Sequence, residues 1–185
     1  MDADALEFAD GAAWEAWLET HHATASEAWL RIGKSRSSAP YLPIGAALEG
    51  ALAFGWIDGR RHGLDEVSFL QRYSPRGPRS PWSQRNVENA EALLAAGRVR
   101  PAGLAAIEAA KADGRWQRAY QPQSTAEVPE ELTAALALDE PAAAAFARLG
   151  RSERYVLMLP LLKAGTAKAR AAAVAKVVQT LKRDA

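Results

Sequence analysis

The sequence predicts an α+β fold: a small, mostly antiparallel sheet packed by helices, followed by a C-terminal helical bundle. Three observations point there. Between residues 28 and 73, short stretches alternate apolar and polar side chains with the period of a strand. Helical stripes of apolar residues precede and interrupt those stretches, so helices and strands must share a core. From Pro129 onward the helical period alone remains.

Each element follows from its own residues. Trp14, Trp17 and Leu18 stand at i, i+3 and i+4, which predicts a first helix over 11–20 with Asp10 as its cap. Ala28, Leu30 and Ile32 alternate with Trp29, Arg31 and Gly33, predicting a strand that ends in the serine-rich loop Lys34 to Pro40. Pro43 pre-sets the first turn of a helix whose stripe is Ile44, Ala47, Leu48, Ala51 and Leu52, closed by Gly55. Trp56 to Arg61 and Val67 to Tyr73 form the expected hairpin, turning at Gly63, Leu64, Asp65 and Glu66. Three prolines between Ser74 and Pro81 imply that the chain leaves the sheet there.

Ser80 or Ser83 is then expected to cap a helix that buries Val87, Ala90 and Leu94 and stops at Gly97. Pro101 opens another, burying Leu104 and Ile107 and ending at Gly114. Arg115 to Val128 follows neither period and reads as a connector. Beyond it come a helix marked by Leu132, Ala135 and Leu136, and a second running from Asp139 to Gly150. Ser152 is expected to cap a third, kinked near Pro160, and Thr166 a fourth with Val174, Val177, Val178 and Leu181 on one face. The implied division is 1–126 for the α+β core and 127–185 for the helical region.

Composition narrows the function classes. Hydrophobic residues at 49% and charged residues at 24% are globular averages, and 185 residues can bury a sizeable core. Lys and Arg number 23 against 22 Asp and Glu, so the whole molecule has no field to recruit DNA, and nucleic acid is not expected as a partner. No cysteine is present, which excludes disulfides, a thiolate nucleophile and Cys-ligated zinc, and fits a reducing cytoplasm. Residues 1–10 lack the pattern of a secretory signal, and no window approaches the ~20 apolar residues of a membrane span, so a cytoplasmic location is expected.

The chemistry-bearing residues cluster between Val67 and Val87, where Arg72, Arg76, Arg79 and Arg85 stand without an acidic residue. Guanidinium forks suit phosphate or carboxylate, and a helix starting near Ser80 or Ser83 would aim free N–H groups at the same anion. The resulting hypothesis is a pocket for an anionic small molecule, built by Arg72, Arg76, Ser83 and Asn86 and walled by Trp56 and Trp82. A solvated face, with arginines paired to nearby carboxylates and indoles filling core, is the competing reading. Asp58 before Gly59 is the candidate general base if its carboxylate is buried, or else a turn or bulge residue pairing with Arg60, Arg61 or Arg72. His21, His22 and His62 have no partners at ligand spacing, so neither metal nor cofactor is expected. Nucleotide-loop, hydrolase-elbow and zincin motifs are missing from the sequence.

The run Ala53-Phe54-Gly55-Trp56-Ile57-Asp58-Gly59, then Leu70-Gln71-Arg72-Tyr73, and Ser74-Pro75-Arg76 with Ser80, Trp82, Ser83 and Asn86 closely resemble the signature of the YdeI/OmpD-associated (bacteriocin-protection) family. The likeness continues through Arg98 to Gly103 and Ala112 to Thr125. The resemblance implies a link to bacteriocin or envelope-stress tolerance and an OmpD-associated character for 127–185, but carries no catalytic residues across. Three classes follow. The first is a binding module for an anion or small ligand, requiring an electropositive cleft. The second is a protein-interaction module acting through the C-terminal helices, requiring an exposed apolar patch there. The third is an enzyme with Asp58 as base, requiring a buried carboxylate. Oligomeric state is not legible.

Overall fold

The fold is described from a computed structural model, which describes residues 5–35 and 40–183. The chain forms two compact units: residues up to Ser80 together with Asn86–Trp116, and Pro81–Arg85 together with residues from Gln117 onward. The expected loop between Lys34 and Pro40 lies largely outside the described residues.

In the first unit the order is α1 (Gly11–His21), β1 (Ala28–Gly33), α2 (Ile44–Ala53), β2 (Trp56–Gly63), β3 (Ser68–Pro75), α3 (Gln84–Ala95) and α4 (Pro101–Ala112). The first two residues of α3 count with the second unit. Asp10 caps α1, its carboxylate accepting from the Ala13 N–H at 2.9 Å, as the sequence predicts. The sheet is antiparallel in the order β1-β3-β2, with Leu30 opposite Gln71 and Ile32 opposite Phe69. Leu6 adds a short parallel bridge to Leu30 on the outer side of β1. Ala28, Leu30 and Ile32 are buried and their alternates partly exposed, the period of two read from the sequence.

One face of this sheet carries the core, formed by α1's Trp14 and Leu18, α2's Ala47 and Ala51, and Phe54, Trp56 and Tyr73. Burying side chains such as Leu30 and Ile32 contributes about 1.5–3 kcal/mol each. The indoles satisfy their N–H groups while buried: Trp14 donates to the Ala47 carbonyl at 3.0 Å and Trp56 to that of His22 at 3.2 Å. β3 runs two residues past the expected exit, to Pro75 opposite Trp56. Pro75 is tolerated because β1 already ends at Ala28 opposite Tyr73, so no ladder bond is demanded of it on that side.

Two glycines bring the α2 end and α4 together. Gly55 takes φ +74°, and at Gly103 the backbone stands so close to Ala53 that a Cβ would lie 2.2 Å from its carbonyl oxygen. The Arg100 N–H donates to the same oxygen at 2.9 Å. That contact turns α4 so that Gly103, Ile107 and Ala110 are buried while Leu104 is 44% exposed, correcting the expectation for Leu104. In α3 the buried positions are Asn86, Ala90 and Leu93 rather than Val87 and Leu94, a stripe shifted by one residue.

The second unit holds α5 (Glu130–Ala137), α6 (Glu140–Arg148), α7 (Arg151–Leu162) and α8 (Ala167–Arg183), after a short parallel bridge between Ser83 and Tyr120. α8 packs on α5, α6 and α7 through Val177 and Leu181, in a core with Leu132, Phe146, Met158 and Leu161. Asp139 caps α6, accepting from the Ala142 N–H at 3.2 Å, and Thr166 caps α8 through the Ala169 N–H at 3.2 Å. α7 is capped two residues earlier than the expected Ser152. Gly150 is its N-cap, and Glu153 reaches back to accept from the Gly150 N–H at 2.7 Å.

Candidate functional site

The residues singled out in the sequence are distributed over both units. Trp56, Arg72, Arg76 and Asn86 belong to the first, Trp82 and Ser83 to the second. Trp56 and Trp82 are 1% and 2% exposed, so both indoles are core. Arg72 projects from β3 into an ion pair, its Nε 2.7 Å from Glu27 Oε2, while Trp29 donates to the other oxygen of that carboxylate at 3.1 Å. The Arg72 bond, followed by that of Trp29, holds Glu27 below its ordinary pKa. Arg76 anchors the strand exit through its own N–H, which donates to the Gly55 carbonyl at 2.9 Å. Asn86 is buried on α3, Ser83 is partly exposed just before it, and Arg79 and Arg85 are exposed.

Asp58 is exposed, so the buried carboxylate that a general base requires is not what the sheet builds. It opens a β-bulge instead, where the register slips between Asp58 and Arg61. The buried Gln71 amide donates to the carbonyls of Gly59 and Arg60 at 3.1 and 3.2 Å and accepts from Arg61 Nε at 3.0 Å. The Asp-Gly pair is therefore a bulge signal, the structural alternative read from the sequence. Opposite Asp58 sits Tyr73, fully buried, its hydroxyl without a hydrogen-bond partner among the described residues. Burial, and then the negative charge of Asp58, raise the Tyr73 pKa. On the other face of the sheet His62 stacks on Trp29 with ring centres 5.1 Å apart.

An open apolar surface lies on the C-terminal helices. A hollow of about 590 Å³ is bounded by α6, α7 and α8 and lined by Leu149, Val156, Leu157, Pro160, Val177 and Leu181. Val156 in it is 70% exposed. Pro160, which has no N–H to donate within α7, stands beside Val156 in that lining. Arg148 and Lys176 stand in the same lining. A second hollow of about 730 Å³ runs between α5 and α8, with Ala171, Val174 and Val178 in its lining. Its charges are internally paired, Arg170 with Glu131 and Lys182 with Asp139, each at 2.7 Å. Those bonds, strongest in each case from the cation, hold both carboxylates below their ordinary pKa.

Tyr155 to Leu162 is one apolar run in the sequence. It has two sides: Met158 and Leu161 form the core stripe, while Val156 and Pro160, four residues apart, form another on a different side. A helix apolar on two sides has one side without an intramolecular use.

No membrane-spanning candidate occurs among the described helices, none being long and apolar enough to cross a bilayer. Comparison with known proteins gives two family matches. Residues 6–106 match the family described as Domain of unknown function (DUF8412), and residues 125–184 match the one described as Bacteriocin-protection, YdeI or OmpD-Associated. Neither the curated proteins nor the solved structures contain a match to the chain. Most of the motif residues that carry the likeness in sequence fall within the first match, whereas the second covers α5 to α8 and both hollows. The chain thus belongs to the DUF8412 family through its helix-packed sheet and carries, in its last four helices, a region of the bacteriocin-protection, YdeI or OmpD-associated family.

Proposed function

We propose that this chain is a protein-binding module of bacteriocin protection, docking a helical segment of a partner in the hollow between α6, α7 and α8. The observation that carries the reading is Val156, 70% exposed over an apolar hollow of about 590 Å³ within the stretch that matches the bacteriocin-protection family. Helix-in-groove recognition needs an apolar trough that accepts side chains at i, i+3, i+4 and i+7, and three helices meeting around Leu157, Val177 and Leu181 supply its walls. The arginine segment offers less to a ligand, since Arg72 is paired with Glu27 and both indoles are sealed.

Survival of a bacteriocin-sensitive bacterium tests the reading. Cells expressing the wild-type chain are expected to withstand the bacteriocin, and cells with equal amounts of Val156→Asp are not. Because Val156 is exposed, the substitution leaves folding within about 0.5 kcal/mol of wild type. Equal protection by both chains would remove the hollow as the working surface.

A further inference from the structure

We infer that the docked segment is an acidic amphipathic helix, a deduction that rests on the docking reading above and adds the chemistry of its partner. The hollow is electrostatically unbalanced. Arg148 and Lys176 in its lining are exposed and form no ion pair among the described residues. The carboxylate of that lining, Glu153, accepts from the Gly150 N–H at the start of α7 and keeps its charge, which leaves two cations against one anion around the hollow. The hollow on the other side of α8 differs in this respect, because Glu131 and Asp139 already neutralise Arg170 and Lys182 there. α8 itself carries five cations and no acidic residue. Cations fringing an apolar trough favour a ligand with an apolar stripe flanked by carboxylates, since like-charge flanks are repelled while opposite charge steers and orients the encounter.

Two other occupants fit less well. A second copy docking symmetrically through this face would set one net-positive lining against another, without the carboxylate flanks that the cations favour. An anionic bilayer has the required charge but presents a plane, whereas the apolar side chains here line a hollow.

The experiment uses two fluorescein-labelled synthetic helices of about five turns with the same Leu stripe at i, i+3, i+4 and i+7. One has a Glu/Gln polar face and the other a Lys/Gln face. Anisotropy titrations are run against the full chain, Val156→Asp, and the double variant Arg148→Glu/Lys176→Glu, with circular dichroism confirming that all three fold. The Glu-faced peptide is expected to bind the wild type at least about tenfold more tightly than the Lys-faced one, with the margin shrinking as salt rises. The double variant is expected to invert that preference, and Val156→Asp to weaken both peptides. Equal affinities, or a preference unchanged in the double variant, would overturn the acidic assignment while leaving the groove in place. Failure of both peptides to bind would overturn the docking reading itself. Binding of phosphatidylserine vesicles but of neither peptide, lost in Val156→Asp, would assign the surface to a membrane and overturn the helix.

Discussion

Replacing Gly103 by alanine tests the packing on which the first unit depends. A Cβ at this position would sit 2.2 Å from the Ala53 carbonyl oxygen and 2.9 Å from that of Leu52, and both are backbone atoms that cannot rotate away. Relief requires α4 to withdraw from the end of α2 by roughly 1 Å, an overpacking that costs about 1–3 kcal/mol. The same withdrawal stretches the 2.9 Å bond from the Arg100 N–H to the Ala53 carbonyl, and losing a bond of this kind costs about 1 kcal/mol. Against this, alanine improves helix propensity by at most about 1 kcal/mol. The net expectation is a loss of about 1–3 kcal/mol. Urea unfolding followed by tryptophan fluorescence is a suitable assay, because Trp14, Trp17, Trp29, Trp56 and Trp116 all belong to the first unit. With a slope of about 2 kcal/mol/M, the midpoint should fall by about 0.5–1.5 M. Gly45→Ala is the internal control: it lies in α2 with nothing within 4 Å of its new Cβ, so its midpoint should hold or rise. If Gly103→Ala were as stable as Gly45→Ala, the close approach of the two helices would not be what orients α4.

Three further outcomes are expected. Tyr73→Phe removes a fully buried hydroxyl that has no hydrogen-bond partner among the described residues, so urea unfolding should show unchanged stability or a gain of about 1 kcal/mol. Gln71→Met leaves the bulge carbonyls of Gly59 and Arg60 without their donor and should cost about 1–3 kcal/mol, read in the same titration. Asp139 has its pKa lowered by Lys182 and then by the Ala142 N–H, so its contribution is full above the ordinary carboxylate pKa of about 4 and lost as pH falls through the lower folded value. Asp139→Asn keeps a capping oxygen but not the charge, so melting of the C-terminal helices by circular dichroism should decline less steeply in acid than in wild type; identical acid profiles would refute the pairing.

Much of the fold was legible because local periods are strong in this chain. Trp14 and Leu18 on one helical face, the alternation from Ala28 to Gly33, and the caps at Asp10, Asp139 and Thr166 are all properties of neighbouring residues. The candidate site was less legible. Whether a cation is free or paired depends on residues far off in sequence: Arg72 meets Glu27 across 45 positions, and Arg170 meets Glu131 across 39. Asp58 was ambiguous for the same reason, its exposure and its bulge being set by the pairing of β2 with β3.

By itself, the sequence determined the α+β class, the order of helices and strands, and the change to helix alone after Pro129, because these follow from hydrophobic period, capping chemistry and glycine or proline punctuation. Only the tertiary structure decided which part of each apolar stripe is covered. Leu93 rather than Leu94 is inside α3, Leu104 faces out because Gly103 must meet Ala53, and Val156 stays uncovered while Met158 on the same helix is core. A stripe spans more of a helix than any one neighbour can cover, so the approach of a second element, not the period, selects the side chains that lose their water.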